Sequence, residues 1–264
     1  MDTLIHISAD QFTFQEKQLV EHGELSASLF RFTSGVQAVR LRNSAGEFVL
    51  LPFQGQQIWD ANMCGRRLIM KSMFDQPYPT REFLSTFGGF LLHCGATAIG
   101  SPSPLDTHPL HGELPNAPYS QAALVMGTDA NGEFIGLTGQ YRHTVAFNYH
   151  YMAMPLVKLY TGSSVFAVSM TIQNLKASDM PLMFLEHINF RPVDRGRLVQ
   201  SAACDRENIR VRANLSLAMD SPTGYSELVE RLQEYPQDHL AFTPGLMCDP
   251  EIVLYLNYQA CMDG

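Results

Sequence analysis

Two short stretches of this 264-residue chain carry side chains suited to moving protons or holding a polar ligand. The first, Pro102 to Tyr119, holds five of the fifteen prolines together with His108, His111, Glu113 and Asn116. Proline fixes φ and removes a backbone donor, so the stretch should be rigid and irregular. Rigid loops bearing polar side chains are where binding sites are commonly built. The plain alternative is a crossover loop with surface histidines. The second stretch is Met183-Phe184-Leu185-Glu186-His187-Ile188-Asn189-Phe190. As a strand it puts Leu185, His187 and Asn189 on one face and Phe184, Glu186, Ile188 and Phe190 on the other. A histidine beside an asparagine among apolar neighbours is either part of a site or a buried, hydrogen-bonded histidine. An imidazole titrates near neutrality, so it can deliver or accept a proton at working pH.

The elements that must position these groups read as strands. Val36 to Arg42 alternates apolar and polar, Asn43-Ser44-Ala45-Gly46 is a turn, and Glu47 to Phe53 returns, which predicts a hairpin. Gln56 to Met63 and Arg67 to Met73 read as two strands around Cys64-Gly65. Later come Ala122 to Met126, a turn at Asp129-Ala130-Asn131-Gly132, Glu133 to Tyr141, Val145 to Lys158, Val165 to Gln173 and Pro181 to Phe190. Strands at such spacing predict a sandwich or barrel. One short helix is expected at Ser226 to Leu232, while Arg81 to Leu92 stays open because Gly88-Gly89 weakens a helix there. With no linker and no repeat, residues 1–264 read as a single β domain. Glu251 to Ala260 reads as a strand ending just before Gly264, the pattern of a sheet protein truncated at its C-terminus.

Composition bounds the function. Hydrophobic residues make up 45% and charged residues 17%, enough to bury a core. The formal net charge of −8 disfavours a nucleic-acid or anionic-membrane partner, since phosphates need a basic face. No signal-peptide pattern and no apolar run of membrane-spanning length is seen. The cysteine count is odd, at 5, with no Cys-x-x-Cys pair, so a reduced, cytoplasmic protein is expected, without a disulfide framework.

His111-Gly112 after the proline loop and His187-x-Asn189-Phe190 on a later strand together resemble the two histidine motifs of the aldose 1-epimerases (galactose mutarotases) and their relatives. Leu51 to Asp60 is similar to that superfamily's early hairpin. Phe87-Gly88-Gly89-Phe90 and His93-Cys94-Gly95 look more like its less characterised epimerase-related branch. The similarity runs from about Ser26 to Phe190. It implies an all-β, galactose mutarotase-like β-supersandwich with little helix, holding a monosaccharide or sugar derivative in an open cleft, with no metal and no organic cofactor. By resemblance, His187 is the general acid on the ring oxygen and His111 contacts the sugar. The family's base, a late carboxylate, has no match at Glu113 or Glu186, and its early arginine could be Arg66, Arg67 or Arg81.

Sugar binding needs planar hydrogen-bonding groups and an apolar wall. Asn116, Asn189, Glu113 and Arg66 or Arg67 are candidates for the first. Trp59, more simply read as core, or Tyr119 could be the second. Arg191, Arg195 and Arg197 would suit a phosphorylated or sulfonated sugar, though a solvated loop is the simpler reading. Two other classes compete with the isomerase: a carbohydrate-binding module of the same fold, and a metal-dependent β-barrel enzyme with His108, His111, Glu113 and His187 as ligands.

Overall fold

A computed structural model describes residues 2–213, 224–241 and 251–258. The chain divides into two compact units, Met1–Arg191 and Pro192–Gly264.

The first unit is built from β1 (Thr3–Ile7), β2 (Lys17–His22), β3 (Leu25–Arg31), β4 (Gln37–Asn43), β5 (Gly46–Leu50), β6 (Ile58–Met63), β7 (Arg66–Arg67), β8 (Leu91–Ala96), β9 (Gln121–Asp129), β10 (Gly132–Val145), β11 (Tyr149–Tyr160), β12 (Phe166–Asn174) and β13 (Met183–Ile188). Five of these form an antiparallel sheet in the order β1-β9-β10-β11-β12. The larger sheet runs β13-β8-β6-β5-β4-β3-β2, with β7 paired to β6. The two sheets share one core: Leu41, Phe48, Leu50, Ile58 and Leu91 from the larger sheet pack with Leu124, Ile135, Leu137 and Leu159 from the smaller. This is the all-β sandwich with little helix that the sequence predicts.

The predicted hairpins form for local reasons. Asn43 Oδ1 accepts from the backbone N–H groups of Ala45 and Gly46, both at 2.9 Å, and closes the β4–β5 turn. A Cβ on Gly46 would lie 2.1 Å from the Asn62 carbonyl oxygen, so β6 can approach only a glycine there. The expected Val145–Lys158 strand is interrupted. A turn at 146–148, with Phe147 at φ 67°, separates β10 from β11. The run expected from Arg67 to Met73 forms only the two-residue β7, after which Met70 N–H donates to the Asn189 carbonyl. Arg81 to Leu92 resolves into a 3-10 turn, Phe83–Thr86, followed by the start of β8.

In the second unit β14 (Ile209–Val211) pairs with β15 (Leu254–Leu256), and α1 spans Tyr225–Glu234. The helix places Tyr225, Leu228, Val229 and Leu232 at spacings of three and four, and this stripe packs with Val211 and Leu254. Glu227 in its first turn and Arg231 in its last complement the helix dipole.

Candidate functional site

The loop from Ala98 to Tyr119 reaches its shape through backbone contacts with β8. His111 N–H donates to the Gly100 carbonyl and the His111 carbonyl accepts from Gly95 N–H, both at 2.9 Å. His111 and Gly112 take φ of 60° and 82° in succession. A Cβ on Gly112 would lie 2.3 Å from the Ala98 carbonyl oxygen, so a glycine must follow the histidine. The next residue, Glu113, is an internal anchor. Its carboxylate accepts from the N–H groups of Ala96 at 3.0 Å and Thr97 at 3.1 Å, the Thr97 hydroxyl at 2.8 Å and the Tyr151 hydroxyl at 2.5 Å. Arg81 holds the same loop from outside, donating to the carbonyls of Glu113 at 2.9 Å and Asn116 at 2.8 Å.

His187 comes from β13, opposite Leu92 of β8. Leu91 belongs to the core between the sheets, whereas Leu92 and Cys94 pack with Phe83, Phe87 and Leu110. His187 therefore stands on the face of the larger sheet turned away from the smaller one. There it meets His111. The two imidazole centroids are 5.4 Å apart and the rings are perpendicular, at 89°. Phe83 lies 4.9 Å from the His111 ring and 6.3 Å from His187, and Phe87 meets His187 edge-on at 5.2 Å. Both histidines are half-buried, and the His111 Nδ1 is itself shielded from solvent. Cys94 underlies this face as a neutral thiol: burial first, then the Glu186 carboxylate, pushes its pKa up to about 12.

Glu186 points the other way, as alternation requires, and meets His93 in direct register on β8. His93 Nδ1 is 3.0 Å from the carboxylate, and its side chain is fully buried. Phe184 stacks on the His93 ring and joins Tyr119, Tyr141 and Tyr151 between the sheets. Burial, then neighbouring Tyr141 and Glu186, raises the pKa of Tyr119; burial, then Glu113, raises that of Tyr151.

The structure thus brings His111 and His187 together and places the other candidates apart from the pair or in bonds of their own. Asn189 donates to the Gly89 carbonyl at 2.8 Å. Arg66 and Arg67 sit at the exposed tip of the β6–β7 hairpin, where Arg67 pairs with Asp60 at 3.2 Å. That tip is the end of β6 remote from Ile58, the residue that pairs with β8. Asn116 is buried and accepts from Gln57 at 2.6 Å and Gln54 at 3.2 Å. Its Nδ2 has no partner among the described residues, and it borders an open hollow of about 310 Å³ shared with Phe53, Arg81 and Pro118. Trp59 packs with Val36, Ala38, Val49 and Leu51. His108 Nδ1 donates to the Pro109 carbonyl at 2.8 Å. Among the described residues no group of three or more His, Cys, Asp or Glu side chains is placed to hold a metal ion. No helix among them is long and apolar enough to cross a membrane. The sequence reading missed Phe83 and Phe87.

The family model described as "Domain of unknown function (DUF4432)" matches residues 33–204. No curated protein sequence matches the chain. Among solved structures, one from Klebsiella pneumoniae subsp. pneumoniae, named as a "putative aldose 1-epimerase", superposes with a TM-score of 0.59 at 16% identity. The match covers 81% of this chain and 59% of the other, so the chain spans somewhat over half the length of that relative. At that identity the likeness is one of fold.

Proposed function

This chain belongs to the DUF4432 family, and we propose that it is an aldose 1-epimerase-type isomerase, interconverting the anomers of an aldose or modified sugar by opening and reclosing the ring. His187 delivers the proton to the ring oxygen and His111 contacts the sugar beside it. The observation that carries this reading is the perpendicular pair of half-buried imidazoles, 5.4 Å apart against an aromatic wall. Ring opening of a hemiacetal needs a proton given to one oxygen and another taken from its neighbour, which imidazoles do efficiently near neutral pH. Phe83 and Phe87 supply the apolar surface that the C–H face of a pyranose prefers. We assign the reaction to the reduced cytoplasm, in keeping with the free thiols Cys64, Cys94 and Cys204.

A second reading, a carbohydrate-binding module, is favoured by one fact: the carboxylates nearest the histidines in sequence, Glu113 and Glu186, are both engaged elsewhere. Polarimetry separates the two. Purified protein should accelerate the optical-rotation decay of at least one freshly dissolved aldose from a broad panel. If none is accelerated while sugars still raise the melting temperature, the module reading replaces the isomerase.

A further inference from the structure

We propose that Glu113 is a positioning residue: its side chain, gripped inside the sandwich from both sheets, sets where the His111 imidazole stands on the outer face. Its effect on catalysis rests on the isomerase reading above, in which His111 contacts the sugar. The sequence puts Glu113 among the groups that could bind the sugar directly. The structure buries the side chain instead. Oε1 accepts from the N–H groups of Ala96 and Thr97 and from the Tyr151 hydroxyl, and Oε2 accepts from the Thr97 hydroxyl. Ala96 ends β8 of the larger sheet and Tyr151 lies on β11 of the smaller one. One side chain thus ties the His111 loop to a strand of each sheet.

The link from Glu113 to His111 is short. Only Gly112 stands between them, and it packs so closely on β8 that a Cβ there would lie 2.6 Å from the Gly95 carbonyl oxygen. His111 itself takes φ of 60°. A non-glycine residue in the left-handed region carries a conformational cost and stays there only where its surroundings hold it. The bonds of Glu113 supply that hold. Hydrogen bonds to a carboxylate are the stronger kind, and this one gathers four donors in the interior. Releasing them lets the backbone at His111 relax, and the imidazole leaves its place beside His187.

Reach and charge can be separated at this position. Arg81 grips the loop through the carbonyls of Glu113 and Asn116, which any residue at 113 would leave in place. The side-chain bonds need the length of Glu113 and an acceptor at Oε1. Glutamine has both: its oxygen can keep the three donors of Oε1, and its amide nitrogen can donate to the Thr97 hydroxyl, which turns to accept. Aspartate keeps the charge but falls one methylene short of Tyr151. A positioning residue should tolerate the first change and not the second.

Mutarotation rates, measured well below each melting temperature, test this. Glu113→Gln should keep most of the wild-type kcat. Glu113→Asp should lose about tenfold to a hundredfold in kcat with KM little changed, the mark of a misplaced group. Tyr151→Phe should lose severalfold, and combining it with Glu113→Asp should cost less than the product of the two losses, as for members of one network. A glutamine variant as impaired as the aspartate one shows that the site uses the charge, and overturns the assignment. So does a folded Glu113→Asp protein with wild-type kcat. If that variant does not fold, Tyr151→Phe decides, and an unchanged kcat there overturns the proposal. A wild type that accelerates no aldose sinks the isomerase reading alone, because histidine-ring NMR reads the positioning without activity. The His111 and His187 ring signals should move in Glu113→Asp, or in Tyr151→Phe if the aspartate variant is unfolded, and stay in Glu113→Gln. Unmoved His111 signals in the shortened or hydroxyl-less variant overturn the proposal.

Discussion

Glu186 and His187 are adjacent in sequence, yet they belong to two different environments. On the inner face of β8 and β13, Glu186 and His93 close on each other within the tyrosine-lined interior. On the outer face, His187 and His111 are half-buried and stand against phenylalanine rings. Low polarity surrounds both. The difference is that the inner pair is joined by a hydrogen bond within the interior, whereas the outer pair meets ring to ring on a half-buried surface. A hydrogen-bonded pair whose histidine is fully buried costs dearly to break. Imidazoles on a half-buried surface can meet a ligand and do chemistry. One residue of strand alternation separates an anchor from a proposed acid.

That contrast predicts opposite phenotypes for two histidines on neighbouring strands. His187→Ala should reduce the mutarotation rate by about 10²–10⁴-fold with little change in melting temperature, as for loss of a general acid. His93→Leu should do the reverse: keep most of the rate but cost about 3 kcal/mol in a denaturant titration, because it leaves the Glu186 carboxylate facing apolar surroundings. If His93→Leu abolishes activity in a protein of unchanged stability, the division between the faces is wrong.

A smaller effect sharpens the outer face. Phe83 touches both imidazoles and Phe87. Phe83→Leu keeps the apolar volume roughly but removes the flat surface that sets the perpendicular ring orientation. The expected loss is about tenfold in kcat, from misplacement of the reacting groups, with KM little changed. A raised KM at unchanged kcat would show instead that Phe83 only binds the sugar.

How much of this was legible in the sequence depends on the range of the interaction. Alternation, a two-residue period, placed Glu186 and His187 on opposite faces, and the Asn43–Gly46 and Asp129–Gly132 turns could be read from side chains that bond their own backbone. The meeting of His111 with His187 was expected only through resemblance, since no local pattern brings a proline loop to a strand so far along the chain. Phe83 and Phe87 were missed because their segment folds as a 3-10 turn, too short to leave a period. Glu113 sits beside a site histidine in sequence, but its fate was decided by Tyr151 on β11, a contact that no spacing rule reports. The break at 146–148 escaped because apolar residues run through a turn that one left-handed residue, Phe147, makes possible.

The inner face makes its own prediction, the smallest in size. Tyr151 donates to Glu113 at 2.5 Å, and burial with that carboxylate raises its pKa. A proton held more tightly in the folded state stabilises fully below the unfolded tyrosine value of about 10, and that contribution drains away as pH climbs above it. Tyr151→Phe removes both effects. At neutral pH the variant should lose about 1 kcal/mol, since Glu113 keeps its three other donors. Above pH 10 its stability should fall less steeply than that of the wild type. Melting curves from pH 7 to 11 would show the two lines converging. Parallel lines would mean that Tyr151 ionises as freely folded as unfolded, and that the inner face is less sealed than its hydrogen bonds suggest.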